Sequence, residues 1–392
     1  MKISVFRPLL AGLLPVLLMI ASCTPDETND IQQINASVIA FTETDNTTTV
    51  SVPLTLVGTV VAPVEVTYRW EEGQAKKGSD FEAEGGTFTF SPDEMEKTLE
   101  LQLIGDNNLE LTETFDLFLT VDGRDFVVQL SIQDNDPIEA ILSDADGFYT
   151  PETYESMTLA FSDEFNDASL DESTWTYEIG DGCDKGLCGW GNNELQNYTN
   201  ESENIRMEDG KLIITALKDQ LNNYTSARII TEDKIELQYG RIDIRAKMPK
   251  GQGLWPALWM LGANISEVSW PECGEIDIME LVGHEPEATH GTVHYDNNGY
   301  TTSTGVSTLS SGDLSDQFHV YSIIWERDVI KWYLDNELFK TFTRASGDGG
   351  YPFNAPFYFI MNVAVGGNWP GYPDDTTVFP QTMEVDYLRV FQ

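Results

Sequence analysis

Two long stretches of the chain alternate apolar and polar residues with a period of two, and together they account for most of its length. The first holds Val50-Ser-Val-Pro-Leu-Thr-Leu, Val64-Glu-Val-Thr-Tyr-Arg-Trp, Gly86-Thr-Phe-Thr-Phe, Thr98-Leu-Glu-Leu-Gln-Leu, Phe115-Asp-Leu-Phe-Leu and Phe126-Val-Val-Gln-Leu-Ser-Ile. Short strands separated by turn residues predict an antiparallel sandwich over residues 31–137. The second runs through Lys211-Leu-Ile-Ile-Thr-Ala-Leu, Tyr239-Gly-Arg-Ile-Asp-Ile-Arg-Ala-Lys, Phe318-His-Val-Tyr-Ser-Ile-Ile-Trp and Val329-Ile-Lys-Trp-Tyr-Leu-Asp. No long helical periodicity interrupts it, so residues 158–392 are expected to form a two-sheet jelly roll and the whole chain to be all-β. Residues 138–157 lack sustained periodicity and carry Asp144, Asp146, Gly147 and Pro151, which predicts a linker.

One run inside the second stretch breaks the pattern. In Glu275-Ile-Asp-Ile-Met-Glu280 three carboxylates punctuate an apolar strand. Alternation puts Glu275 and Asp277 on one face but leaves Glu280 on the other. A bulge near Ile278 or Met279, with two residues opposing one on the partner strand, would return Glu280 to the face of the other two. Acids crowded on one face of an apolar strand are costly unless they line a cleft and work there. At about 3.3 Å per residue the glutamate side chains, leaning together, can approach the separation of about 5 Å used by retaining glycosidases.

With its flanking residues, this run resembles the bulged catalytic strand of glycoside hydrolase family 16. The resemblance implies Glu275 as nucleophile, Glu280 as acid/base, and Asp277 as a hydrogen-bond partner of the nucleophile. It begins at Leu159-Ala-Phe-Ser-Asp-Glu-Phe-Asn166 and Leu170-Asp-Glu-Ser-Thr-Trp175 and runs to Gln392. A concanavalin-like jelly roll with a substrate cleft is the implied fold. The segment Asn362-Val-Ala-Val-Gly-Gly-Asn-Trp369-Pro-Gly-Tyr-Pro is similar to the laminarinase branch and implies a β-1,3-glucan substrate. Trp190, Trp255, Trp259, Trp270 and Trp369 are candidate sugar platforms, because pyranose faces pack on indoles; Trp325 and Trp332, inside regular strands, are read as core. Asn192 and Glu194 lie in a loop similar to a substrate-contacting loop of the family. Arg245 lies in a segment similar to a cleft strand, and His294 is expected to contact the sugar or tune Glu280. The family's calcium site implies Asp386 as ligand, with backbone oxygens near Glu164 and Gly210; otherwise Asp386 pairs with Arg389. A structural Ca²⁺ is thus expected and none for the chemistry. His284, His290 and His294 are spaced by six and four residues and match no common zinc pattern.

Gly78-Ser-Asp-Phe, Asp106-Asn-Asn, Glu113-Thr-Phe and Asp134-Asn-Asp136 resemble a Calx-β module, an immunoglobulin-like sandwich. That implies Glu43, Asp80, Glu113, Asp134 and Asp136 as oxygen ligands for calcium. Alternatively these acids simply occupy loop ends.

Composition narrows the partners. Among 392 residues, 65 acids face 22 bases, a net charge of −43 that argues against nucleic acid and for a neutral polymer. Residues 1–22 hold Lys2, Arg7 and an apolar run from Leu9 to Ala21, the form of an export signal. Ile20-Ala-Ser-Cys23 resembles a bacterial lipobox, so Cys23 is the expected lipid attachment, residues 23–30 a tether, and the outer membrane or cell surface the destination of a monomer. In an exported protein Cys183 and Cys188 are close enough to pair, leaving Cys273 as a buried thiol. The alternatives to a laminarinase are a hydrolase of mixed-linkage glucan or of an algal galactan, and a non-catalytic glucan-binding protein.

Overall fold

The computed structural model describes residues 29–106, 110–134, 142–154, 156–347 and 350–392. Cys23 and the export segment, and Asp136, lie outside the described residues.

In the N-terminal unit a four-stranded sheet (Asp30–Ala36, Thr48–Thr59, Glu96–Leu103, Phe81–Glu82) faces a five-stranded one (Ala40–Thr42, Arg124–Gln133, Glu113–Val121, Val64–Glu72, Gly86–Phe90). Period-two patterning builds it: Val52, Leu54 and Leu56 from one sheet and Leu117, Leu119 and Val121 from the other point inward into one apolar cluster.

The C-terminal unit stacks a ten-stranded sheet on a seven-stranded one, and the longest α-helix among its described residues, Ile265–Val268, is a single turn. Between the sheets lies a large core in which Ile242, Ile244 and Ala246 of one sheet meet Ile276, Ile278 and Met361 of the other. The strand order of the seven-stranded sheet positions the site: Thr176–Tyr177, Arg228–Ile230, Phe357–Val365, Leu254–Gly262, Glu275–Glu280, Ala288–Asp296, Tyr300–Thr308. The acid-bearing strand is therefore internal, braced on both sides.

The described part of the segment read as a linker is instead a strap on the outer face of the ten-stranded sheet. Leu142–Ser143 and Phe148–Tyr149 form a small hairpin, and Gly147 bridges Phe318. Thr150 donates its N–H to Tyr387 Oη at 2.8 Å, Tyr154 donates to Asp243 Oδ2 at 2.8 Å, and Arg389 donates to the carbonyls of Thr150 and Pro151. The strap carries no periodicity because its backbone groups are satisfied by a two-residue hairpin, a single bridge and side chains of the sheet rather than by a continuous ladder. It also meets the first unit, since Leu111 packs on Tyr154, Met157 and Phe391, and Thr112 N–H donates to Glu326. Replacing Tyr387 by Phe removes the strap's central bond, an expected loss of about 1 kcal/mol. The melting temperature should fall by roughly 2–4 °C in a calorimetric scan with kcat unchanged.

Candidate active site

The acid strand carries the bulge its pattern requires. Against Leu254–Gly262, Met279 opposes Leu258 while Asp277 opposes Trp259, so Ile278 has no partner. Against Ala288–Asp296, Asp277 opposes Thr292 and Glu280 opposes His290, three steps on one strand against two on the other. The extra residue lets Ile276, Ile278 and Met279 all enter the inter-sheet core. Glu275, Asp277 and Glu280 consequently share the opposite face.

Each acid is held by a different element. Trp270 Nε1 donates to Glu275 Oε2 at 2.9 Å, and Trp255 Nε1 donates to Glu280 Oε1 at 2.9 Å. From the core side, Trp332 Nε1 donates to the backbone carbonyl of Asp277 at 2.8 Å. His294 lies opposite Glu275 in register; its Nε2 is 3.1 Å from Asp277 Oδ2 and 3.6 Å from Glu275 Oε1, and its Nδ1 is 2.8 Å from Tyr300 Oη. The approach of Asp277 to Glu275 is thus bridged by an imidazole, where the sequence suggested a direct hydrogen bond. His294 correspondingly sits with Glu275 and Asp277, and although Glu280 has His290 opposite it, His294 also acts to lower Glu280, as expected.

Burial pushes all three carboxyls up to about 8. After burial, the charge of Asp277 is the next cause raising Glu275 and Glu280, whereas Asp277 is eased only by Lys340. At neutral pH the three do not all carry charge, which is the condition for one to act as an acid beside another acting as a base or nucleophile. Lys340 reaches in from the other sheet. Its ammonium donates to the carbonyls of Gly291 (3.0 Å) and Ser303 and lies 4.1 Å from the Trp332 ring. Burial pushes it down to about 7, with Asp277 acting the other way. Glycines open this passage, since a Cβ on Gly291 would meet Trp332 at 2.4 Å and one on Gly305 would meet Lys340 at 2.6 Å.

Aromatic rings wall the carboxylates. On one side Trp270, 47% exposed, lies 5.2 Å from Tyr300. On the other, Trp255 meets Trp369 edge to face at 5.5 Å, and Trp369 meets His290 at 4.9 Å. Trp259 donates to Asn362 Oδ1 at 2.8 Å. The Arg228 guanidinium lies over both Trp190 (4.5 Å) and Trp259 (4.9 Å) while paired with Glu178.

Residues 192–389 match the family described as Glycosyl hydrolases family 16, and residues 26–141 match the Calx-beta domain. The chain belongs to glycosyl hydrolase family 16. It is 41% identical over 263 residues to glucan endo-1,3-beta-glucosidase A1 of Niallia circulans, covering 60% of this chain but 38% of that protein. A beta-glucanase of Rhodothermus marinus is 42% identical over 249 residues, covering 60% of this chain and 85% of that one. Among solved structures, the laminarinase catalytic domain of Thermotoga maritima is 47% identical with a TM-score of 0.56, covering 60% of this chain and 98% of that domain. The laminarinase of Flavobacterium sp. UMI-01 is 44% identical with a TM-score of 0.55, covering 60% and 100%.

Within the family 16 unit, several residues picked from the sequence lie away from the carboxylates. Arg245 belongs to the other sheet and is buried under the strap, donating to the Phe148 carbonyl and to Asp386 Oδ2, both at 2.6 Å. It cannot contact a sugar in the cleft. The alternation Arg241, Asp243, Arg245 resembles an exposed face, which the strap helps to bury. Asp386 therefore pairs with Arg245 rather than Arg389, whose guanidinium donates to both carboxylate oxygens of Glu164 at 2.8 Å. Register does bring Glu164, Gly210 and Asp386 near one level, since Leu388 opposes Asp163 and Val385 opposes Leu212. Arg245 takes Oδ2 of Asp386, while the Arg389 pair engages only the side chain of Glu164 and leaves aside the backbone oxygens expected as the other ligands.

Trp190 is buried, with its indole N–H donating to the Gly180 carbonyl at 3.3 Å. It shapes the loop clipped by the Cys183–Cys188 disulfide. Asn192 donates to Glu194 at 3.3 Å, Glu194 accepts from Gln196 at 2.6 Å, and Asn368 N–H donates to the Asn192 carbonyl at 2.9 Å. These residues tie the loop to the turn bearing Trp369. Trp325 and Trp332 are fully buried, as read, and Cys273 is a buried thiol. Tyr300, Lys340, Asn362 and Arg228 were not singled out from the sequence. Lys340 was findable: it shares parity with Phe342 in Glu337–Thr343, so a lysine stood where an inward apolar residue belonged.

Proposed function

We propose that the chain hydrolyses internal β-1,3-glucosidic bonds of laminarin-type glucan by double displacement with retention. The observation that carries this reading is the bulge at Ile278, which turns Glu280 to the face of Glu275. Glu275, with an indole N–H on one oxygen and His294 beside the other, attacks the anomeric carbon. Glu280, kept protonated by burial and by Asp277, donates to the departing oxygen and then takes a proton from the water that hydrolyses the glycosyl-enzyme. No cofactor takes part in these steps.

The β-1,3-glucan substrate is supported by relatives named for 1,3-glucosidase or laminarinase activity. A keratan-sulfate endo-1,4-beta-galactosidase of Sphingobacterium multivorum, 33% identical, marks the galactan alternative. Against a sulfated chain, Arg228 is engaged by Glu178 and Lys340 by backbone carbonyls. Reducing ends released from laminarin, lichenan and agarose decide the matter, together with the anomer first seen by NMR. Laminarin should be turned over fastest with the β-anomer appearing first; preference for agarose or an initial α-anomer would refute the reading.

For the first unit we propose a calcium site. Asp80, Glu110 and Glu113 offer oxygens within 4.8 Å of one another, Glu113 Oε2 has no hydrogen-bond partner, and its carboxyl is pushed up to about 8 by burial and by Asp80. Such a set suits a hard cation. Lipidation at Cys23 and surface anchoring rest on the Ile20-Ala-Ser-Cys23 pattern.

A further inference from the structure

We propose that Glu275, Asp277 and His294 form a zinc-binding site whose occupation switches the enzyme off. One oxygen from each carboxylate and one nitrogen of the imidazole lie within 4.8 Å of one another. Zinc with nitrogen and oxygen ligands at 2.0–2.2 Å sets a ligand-to-ligand edge of about 3.4 Å in a tetrahedral site. The observed 3.1 Å from His294 Nε2 to Asp277 Oδ2 and 3.6 Å to Glu275 Oε1 straddle that edge. The two edges from His294 therefore need shifts of only a few tenths of an ångström, and the edge between the two carboxylates closes from within 4.8 Å.

A second observation points the same way. Asp277 is 2% exposed, yet its Oδ2 has no hydrogen-bond partner among the described residues and is the atom that faces His294. A buried carboxylate oxygen left in that state is stabilised by a cation that completes it. His294 is prepared for the role as well, because Tyr300 Oη sits 2.8 Å from Nδ1 and stacks its ring against the imidazole, fixing which nitrogen faces the acids. Two carboxylates and one imidazole suit a borderline ion rather than calcium, which takes only oxygen. Three protein donors leave a fourth position for water.

Binding of the ion itself follows from geometry alone. Inhibition rests also on Glu275 being the nucleophile, since a metal on Oε1 removes the lone pair that would attack. The test uses the full chain without an affinity tag, in excess calcium to fill oxygen-only sites. Zinc chloride is titrated by calorimetry and, in parallel, against laminarin hydrolysis. The wild type should bind zinc, lose activity and recover it with a chelator; His294→Gln should abolish that binding. Tyr300→Phe, which keeps all three donors, should weaken it about tenfold. No zinc binding, or unchanged affinity in His294→Gln, would overturn the site and leave the catalytic reading standing. Zinc bound through His294 without inhibition would overturn the switch and with it the role of Glu275.

Discussion

Replacing Glu280 by Ala should lower kcat on laminarin by about 10²–10⁴-fold, the usual contribution of a positioned general acid. The loss arises because the departing sugar oxygen is a poor leaving group without a proton. An aryl laminaribioside with an acidic phenol needs no such proton, so its first step should be nearly unaffected and the glycosyl-enzyme should accumulate. Azide should then restore turnover and give a β-glycosyl azide, since a small nucleophile can attack the intermediate without a base. Glu275→Ala should behave in the opposite sense, with azide entering from the vacated face to give the α-product. If azide gave the same anomer with both variants, the division of labour between the glutamates would be wrong.

What could be read in the sequence, and what could not, follows from the range of the forces involved. Strand alternation is local, so the sandwich and jelly roll were visible residue by residue. The bulge was visible for a sharper reason: Glu280 had the wrong parity, and one unpaired residue was the smallest repair. The positions of Asp386 and Arg245 were not legible, because a single bulge between Arg245 and Ala246 and a strap from far along the chain decide their partners. A resemblance carried Arg245 into the cleft, where alternation alone leaves the choice of sheet open. Lys340 joins two sheets across the core, and no local pattern names its counterpart. Its parity alone marks it as buried, and Asp277 emerges as its partner only once both sheets are in place.

Asp277→Asn should stabilise the protein strongly at pH 8 and much less at pH 5. The carboxyl titrates near 3.8 in an unfolded chain and is pushed up to about 8 here by burial. Between those values the native state binds the proton that the unfolded state has released. Stability from this group is therefore complete below about 3.8 and is lost as pH rises through about 8. Each tenfold change in proton affinity is worth about 1.4 kcal/mol, so counting only half the displacement still gives about 3 kcal/mol. At roughly 2–4 °C per kcal/mol, the melting temperature of the variant should exceed wild type by about 6–12 °C at pH 8. At pH 5, little more than one unit above 3.8, the unfolded chain has released this proton but most of the loss still lies ahead, so the gain there should be well under half of that at pH 8. Lys340 does not spoil the comparison: pushed down to about 7, it is largely uncharged at pH 8 and loses little when its counter-charge goes. Paired calorimetric scans at the two pH values supply the measurement. A gain that is equal at both would mean that Asp277 is not held neutral by its surroundings. Activity should move the other way, because the stability sacrificed at pH 8 is what keeps a charge-poor carboxyl beside Glu275, and a variant that gained stability yet kept full kcat would show that the catalytic pair does not need it.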